Sequence, residues 1–433
     1  MRRIYSIVFF ALTVIQAQEV HYETLLNSAS ENSYRLKLGS TDTRIEEARL
    51  DVLYSSYYPT LSLSHSLEYN KLLNPQSNAS ITVGDTTINS ANAYEGSLSL
   101  RLNYELYHFG TTDQQIQMQH QEVNVKTYAR CSEEIKLHTE ILDQYSQALQ
   151  SWEELHSKES IRSLHKELYG LKERLFTAGR ESRSAVADEA IEIINLERDI
   201  ERSLMRYDEA VIALSKLSMF PLDPKNTQLL SFTATAPISQ TPTFDESIEA
   251  QGYREKLLEK DHEISANIRS QFPVIAAYGN YYLYGSDDRQ LSQAFNEMRP
   301  NSWNAGITLR VDLFQGFKYN SESQRLHLEK QRLLEEYELR RNEFTKEVQT
   351  ITNRTDHLLA LQNRENTLIS QTQEKLDRLI RLRASGESEA LSVITTTIES
   401  QERELNLKTE EIQHAHEREA LRLKQRTIRE CRR

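Results

Sequence analysis

Residues 98–107 read LSLRLNYELY. Leu98, Leu100, Leu102, Tyr104 and Leu106 fall on one side of an extended chain, with Ser99, Arg101, Asn103 and Glu105 on the other. Successive side chains of a strand point to opposite faces, so alternation sustained this far predicts a strand with one apolar and one polar surface. Working outward, the same period recurs three times. Thr60–Asn70 carries Leu61, Leu63, Leu67 and Tyr69. Val274–Tyr284 and Ala305–Phe314 form a later pair, the second setting Ile307, Leu309, Val311 and Leu313 against Thr308, Arg310 and Asp312. Turn-forming residues separate the members of each pair: Asn74-Pro75, Gly84-Asp85 and Asn89-Ser90 in the first, Gly285-Ser286-Asp287-Asp288 and Pro300-Asn301 in the second. Two β-hairpins with long loops are expected, with strands at about 60–70, 94–107, 273–284 and 303–314.

Elsewhere the period lengthens. Only 12 Gly and 8 Pro occur in 433 residues, and neither type occurs from Thr111 to Tyr169, Arg180 to Phe220, Phe317 to Ser385 or Glu387 to Arg433. At 1.5 Å per residue, the stretch 317–385 is long enough for a helix of about 100 Å. Ile193, Leu196, Ile200, Ser203, Tyr207, Ala210, Leu214 and Leu217 advance by steps of three and four, as do Leu391, Ile394, Ile398, Gln401, Leu405, Lys408, Ile412 and Ala415. Seams this narrow are buried only against other helices.

Composition narrows the function. Hydrophobic residues make up 38% and charged residues 27% of the chain, with a mean hydropathy of −0.63. The one long apolar run, Ile7–Ile15, falls short of the ~20 residues a spanning helix needs. Together with Arg2, Arg3 and Ala17 it reads as a signal peptide over residues 1–17. Position 18 is Gln rather than Cys, so no lipid attachment is expected there. Cleavage takes the net charge from −12 to −14, which disfavours nucleic acid as a partner. Cys131 and Cys431 are the only cysteines; they could pair in an oxidising compartment, but their sequence positions lend that no support, and zinc spacing is absent.

The chain is internally duplicated. Tyr104-Glu105-Leu106-Tyr107 corresponds to Val311-Asp312-Leu313-Phe314 at an offset of 207, and Gly179 corresponds to Gly386 at the same offset. Val186, Ile191 and Glu192 match Val393, Ile398 and Glu399, while Tyr58-Pro59 matches Phe272-Pro273 at 214. The implied division is a first repeat over 18–217 with a helical hairpin at about 110–217, a connector over 218–265, and a second repeat over 266–433 with a helical hairpin at about 317–433. The connector holds Pro221, Pro224, Pro237 and Pro242.

Strands of this length can cross a bilayer when tilted, provided the sheet closes without edges. Four strands cannot close a useful barrel, whereas three chains would supply twelve. Tyr54, Tyr57, Tyr58, Tyr69, Tyr94, Tyr104 and Tyr107 crowd the first hairpin and Tyr278, Tyr281, Tyr282 and Tyr284 the second, near Trp303. Aromatic residues favour membrane interfaces.

At these residues the mature chain, about 20–430, resembles the TolC-like outer-membrane factors of tripartite efflux and type I secretion systems. The resemblance rests on the duplicated plan, the Tyr-Pro and Phe-Pro pairs before each hairpin, the strand exits Leu106-Tyr107-His108-Phe109-Gly110 and Leu313-Phe314-Gln315-Gly316, and the turns at Gly179 and Gly386. It implies a mainly α fold with a membrane β-barrel contribution: a homotrimer whose twelve-stranded barrel sits in outer-membrane lipid and whose helical tube crosses the periplasm. The implied partners are a periplasmic adaptor and an inner-membrane pump, and drugs, metal ions or secreted polypeptides travel through conduits of this type.

In the family the helical tips constrict the tube and meet the adaptor. Carried over, the tips are Gly179, Arg180 and Ser182 in the first repeat and Ser385, Gly386 and Ser388 in the second. Both glycines have two readings here, turn formation alone or direct adaptor contact. Some drug-efflux relatives carry an acidic ring on the helix returning from the second tip. The corresponding positions are Ser392 and Thr395, so a less cation-selective aperture is expected, with Arg383 as a candidate lining residue.

Enzymatic readings lack residues. His414 and His416 diverge on a helix, no His-Glu-x-x-His occurs, and no glycine-rich phosphate loop appears. No catalytic, cofactor-binding or metal-binding residue is expected. The competing reading is an exported coiled-coil scaffold or adhesin, which would need neither alternating strands nor duplicated hairpins.

Overall fold

The computed structural model describes residues 18–71, 81–83, 86–88, 92–232, 241–287, 289–385 and 390–431. The signal peptide expected over 1–17 lies outside them. In chain order the elements are β1 (Gln18–Val20), α1 (Tyr22–Asn32), α2 (Tyr34–Tyr54), β2 (Thr60–Lys71), β3 (Ile81–Val83), β4 (Thr86–Ile88), β5 (Asn92–Tyr107), α3 (Thr111–Thr177) and α4 (Arg183–Ser218). They continue with β6 (Thr227–Leu229), α5 (Ile248–Arg269), β7 (Val274–Asp287), α6 (Leu291–Asn296), β8 (Arg299–Arg310), α7 (Lys318–Ser385), α8 (Ala390–Lys424) and α9 (Ile428–Cys431). No helix among the described residues is long and apolar enough to cross a membrane.

The duplication is visible in the backbone. α2 and α5 begin 214 residues apart, and α3 and α7 begin 207 apart, as do α4 and α8. Phe109 and Gly110 both have positive φ, and so do Gly316 and Phe317 at the same offset. The turn from hairpin to long helix therefore keeps one shape while Phe and Gly exchange places within it. A non-glycine residue held there costs roughly 1–2 kcal/mol, so the shape is imposed by the flanking elements.

The chain divides into two compact units. One comprises Thr41–Thr127 and Gly252–Tyr337. Its centre is an antiparallel sheet of order β2-β5-β7-β8, so the two hairpins join along β5 and β7. The sheet departs from the sequence expectation in three places. β7 continues through Gly285 and Ser286 to Asp287, because Gly96, Glu95 and Tyr94 of β5 supply ladder partners that outweigh local turn preference. The Asp287 carboxylate then accepts the N–H groups of Arg289 (2.8 Å) and Gln290 (2.6 Å), turning the chain. β8 contains Pro300 and Asn301, expected as a turn, and an edge strand tolerates a proline that cannot donate. It also stops at Arg310 rather than Phe314. Arg310 faces Val274, the first residue of β7, so the ladder has no partner for Val311 to Phe314.

The other unit comprises Met1–Ser40, Tyr128–Gln251 and Glu338–Arg433. Its main core joins Leu25 of α1, Ile141, Leu142 and Tyr145 of α3, and Tyr207, Val211 and Leu214 of α4. The seam read from Ile200, Tyr207, Ala210 and Leu214 is buried as its spacing requires. Within the expected connector, β6 pairs in parallel with β1, Gln18 opposite Thr227 and Val20 opposite Leu229. Tyr145 donates to the carbonyls of Val20 (3.0 Å) and Leu230 (2.6 Å), and Tyr207 donates to that of Thr227 (2.7 Å). The later part of the connector is α5, which precedes the second hairpin as α2 precedes the first.

Candidate functional site

The sheet has two chemically distinct faces. Rows of cross-strand neighbours on one are Leu61, Leu102, Gly279 and Ala305, then Leu63, Leu100, Tyr281 and Trp303. On the other they are Ser62, Arg101, Asn280 and Asn304, then Ser64, Ser99, Tyr282 and Ser302. Asn280 donates to Asn304 at 2.7 Å, and Ser66 and Ser97 share a hydrogen bond of 2.8 Å. Apolar side chains stand in the open on the first face, with Leu63 67%, Trp303 75% and Ile307 71% exposed. A continuous uncovered apolar sheet is costly in water and suited to lipid. Within this sheet β2 and β8 are the edges, and each presents a row of backbone groups able to pair with another strand.

α6 packs on one end of this sheet and was not visible in the sequence pattern, being six residues long. It approaches β5 and β7 at Gly96 and Gly285, which face each other in register. A Cβ on Gly285 would collide with the Ala294 carbonyl and lie 2.7 Å from Met298 N, so glycine is what admits the helix.

At the first tip, α3 ends with the Arg180 N–H donating to the Leu175 carbonyl (2.8 Å) and the Gly179 N–H to that of Phe176 (2.9 Å). This paired pattern with a left-handed residue is the Schellman ending, and Gly179 supplies it at φ +71°. Ser182 then caps α4: its hydroxyl accepts the Ala185 N–H at 3.1 Å, an interaction that contributes about 1 kcal/mol. Arg180 and Ser182 are exposed at the turn. Behind it, the buried Glu189 carboxylate of α4 pairs with His165 (2.5 Å) and Lys172 (2.6 Å) of α3, a cross-link the sequence pattern did not single out.

At the second tip, α7 ends at Ser385 and α8 begins at Ala390; Gly386 and Ser388 lie outside the described residues. Arg383 is exposed. Thr395 is exposed and turns its hydroxyl onto its own helix, donating to the Leu391 carbonyl at 3.0 Å, while Ser392 is half-buried. The neighbouring Ile394 and Ile398 pack on Ile161 and Leu168 of α3. Lys375 of α7 meets Glu399 of α8 at 3.0 Å.

This architecture matches solved channels over nearly its whole length. VceC of Vibrio cholerae, described as an outer membrane protein, superposes with a TM-score of 0.74 at 14% identity, covering 93% of this chain and 94% of that one. The CmeC outer membrane channel of Campylobacter jejuni gives 0.73 at 14%, covering 93% and 84%. The open state of the MtrE outer membrane channel of Neisseria gonorrhoeae gives 0.68 at 16%, covering 93% and 88%. At these identities the likeness shows the fold. No curated protein matches at the sequence level. Residues 25–218 match the family model described as outer membrane efflux protein. That match spans a little under half of the chain and shows a likeness to the family over those residues.

Proposed function

We propose that three copies of this chain assemble into the outer-membrane conduit of a tripartite efflux or type I secretion system. The observation that carries the reading is the four-stranded sheet with one apolar face, one polar face and two open edges. Pairing β8 of one copy with β2 of the next in a ring of three gives twelve strands without an edge, the apolar face toward lipid and the polar face toward a lumen. The helical hairpins of the three copies continue the conduit into the periplasm.

In this reading the tips, Gly179, Arg180 and Ser182 with Ser385, Gly386 and Ser388, meet a periplasmic adaptor, and the pump attached to it supplies the energy. Gly179 already has a complete role in the turn, so adaptor contact falls to the exposed residues beside it. Arg383, Ser392 and Thr395 line the aperture, which is less cation-selective than one ringed by carboxylates.

The test joins two measurements on protein extracted from outer membranes: the mass of the native assembly and ion conductance in planar bilayers. A trimer that conducts supports the proposal. A protein recovered soluble from the periplasm without conductance supports the coiled-coil scaffold or adhesin.

A further inference from the structure

The two cysteines lie three hundred residues apart in sequence and meet in the fold. Cys131 is on α3 and Cys431 ends α9. Both are buried, 2% and 4% exposed, in a cluster with Ile248, flanked by Tyr128, Ile135 and Ile428. The proximity of the two thiols in this cluster draws Cys131 below the ordinary thiol range, while that proximity and burial push Cys431 above it. The surrounding contacts hold the C-terminal segment in place. Arg426 pairs with the buried Glu134 at 3.1 Å, one turn along α3 from Cys131, and meets His138 Nδ1 at 2.8 Å. The Glu430 carboxylate accepts the Thr427 N–H at 3.1 Å, closing the turn into α9.

We propose that Cys131 and Cys431 form an intramolecular disulfide in the exported protein, fastening the C-terminal segment to α3. The only two cysteines of the chain have converged in one pocket, and the protein lives in a compartment where disulfides form and persist. The oxidant is a protein or small-molecule disulfide. The Cys131 thiolate attacks one of its sulfurs, giving a mixed disulfide and releasing one oxidant thiolate. Cys431, once deprotonated, attacks the Cys131 sulfur and expels the second oxidant thiolate. The chain loses two hydrogens and two electrons, and the oxidant's disulfide becomes two thiols carrying those protons. The exchange takes place before the segment docks, since the finished bond is shielded.

The experiment uses the full chain in its outer membrane. Cells are quenched in acid, the protein is denatured with N-ethylmaleimide to block free thiols, then reduced and treated with a polyethylene-glycol maleimide. The expected result is no N-ethylmaleimide adduct and two polymer additions, with the peptides holding residues 131 and 431 joined in the unreduced digest. Two N-ethylmaleimide adducts, or glutathione on either cysteine, overturn the proposal. A C431S variant is expected to take one N-ethylmaleimide at Cys131; a blocked Cys131 in that variant assigns it a different partner and also overturns it. The inference needs export but not conduction, so a failure to form channels leaves it standing.

Discussion

Gly285 stands directly across from Gly96 in the β5–β7 ladder, with the Ala294 carbonyl of α6 close to both. The two glycines are not equivalent. A Cβ at Gly96 would have its nearest neighbours at 3.4 Å and 3.5 Å, ordinary contact, whereas one at Gly285 would overlap backbone. Gly285→Ala is therefore expected to displace α6 at a cost of about 1–3 kcal/mol, typical of overpacking, and Gly96→Ala to be tolerated. Limited proteolysis within residues 289–298 reads the difference; equal cleavage of both variants would refute it.

Gly179 and Gly170 form a second contrast. Neither has any atom within 4 Å of an added Cβ, but only Gly179 has positive φ. Gly179→Ala should destabilise by roughly 1–2 kcal/mol through backbone strain alone. Gly170→Ala, inside α3, should stabilise by about 0.5–1 kcal/mol because glycine is a poor helix former. Thermal melting of the two variants should move in opposite directions.

Tyr145 ties β1 to the chain beyond β6 through one hydroxyl and two carbonyls. Tyr145→Phe removes the donor to the Leu230 carbonyl, while the Val20 carbonyl keeps the Leu230 N–H at 3.2 Å, so a cost of about 1–3 kcal/mol is expected. The loss should appear first as faster amide exchange in residues 18–20 and 227–230, before any change in the sheet unit.

Glu259 of α5 gives the fold a pH dependence. Burial, together with the hydrogen bond that its protonated carboxyl donates to the neighbouring Glu122 and the charge of that residue, pushes its carboxyl up to about 7, against the ordinary 4.5, while Lys260 pulls the other way and Glu263 adds to the rise. The folded chain thus holds a proton that the unfolded chain releases between these values. Stability from this group is complete below about 4.5 and is lost as pH rises through about 7. Glu259→Gln should abolish that part of the loss, seen as a flatter melting temperature between these limits.

Arg383 tests the aperture. In reconstituted channels Arg383→Glu is expected to shift the reversal potential toward cation selectivity and to increase block by multivalent cations, since in the proposed trimer it would put three carboxylates in place of three guanidinium groups. An unchanged reversal potential would remove Arg383 from the lining.

The parts legible in the sequence are those written in a repeating local pattern. Leu98 to Tyr107 alternates, and β5 is a strand with the predicted two faces. Ile200, Tyr207, Ala210 and Leu214 step by three and four, and that seam is buried. Gly179 sits where an unbroken helical stretch stops, and it forms the turn. The duplication was readable because two landmarks share one offset, and it extends to Phe109-Gly110 and Gly316-Phe317.

By itself, then, the sequence determined the period of each segment, because side-chain direction along a strand or helix is set by the local backbone. Only the tertiary structure decided where partners begin and end. β8 stops at Arg310 because Val274 is the last residue opposite it, and β7 runs on through Gly285 and Ser286 because β5 is still beside it. The three-residue pairing of Gln18–Val20 with Thr227–Leu229 is too short to carry a period. The meeting of Cys131 with Cys431 joins distant parts of one chain, and such contacts depend on how the long helices pack together.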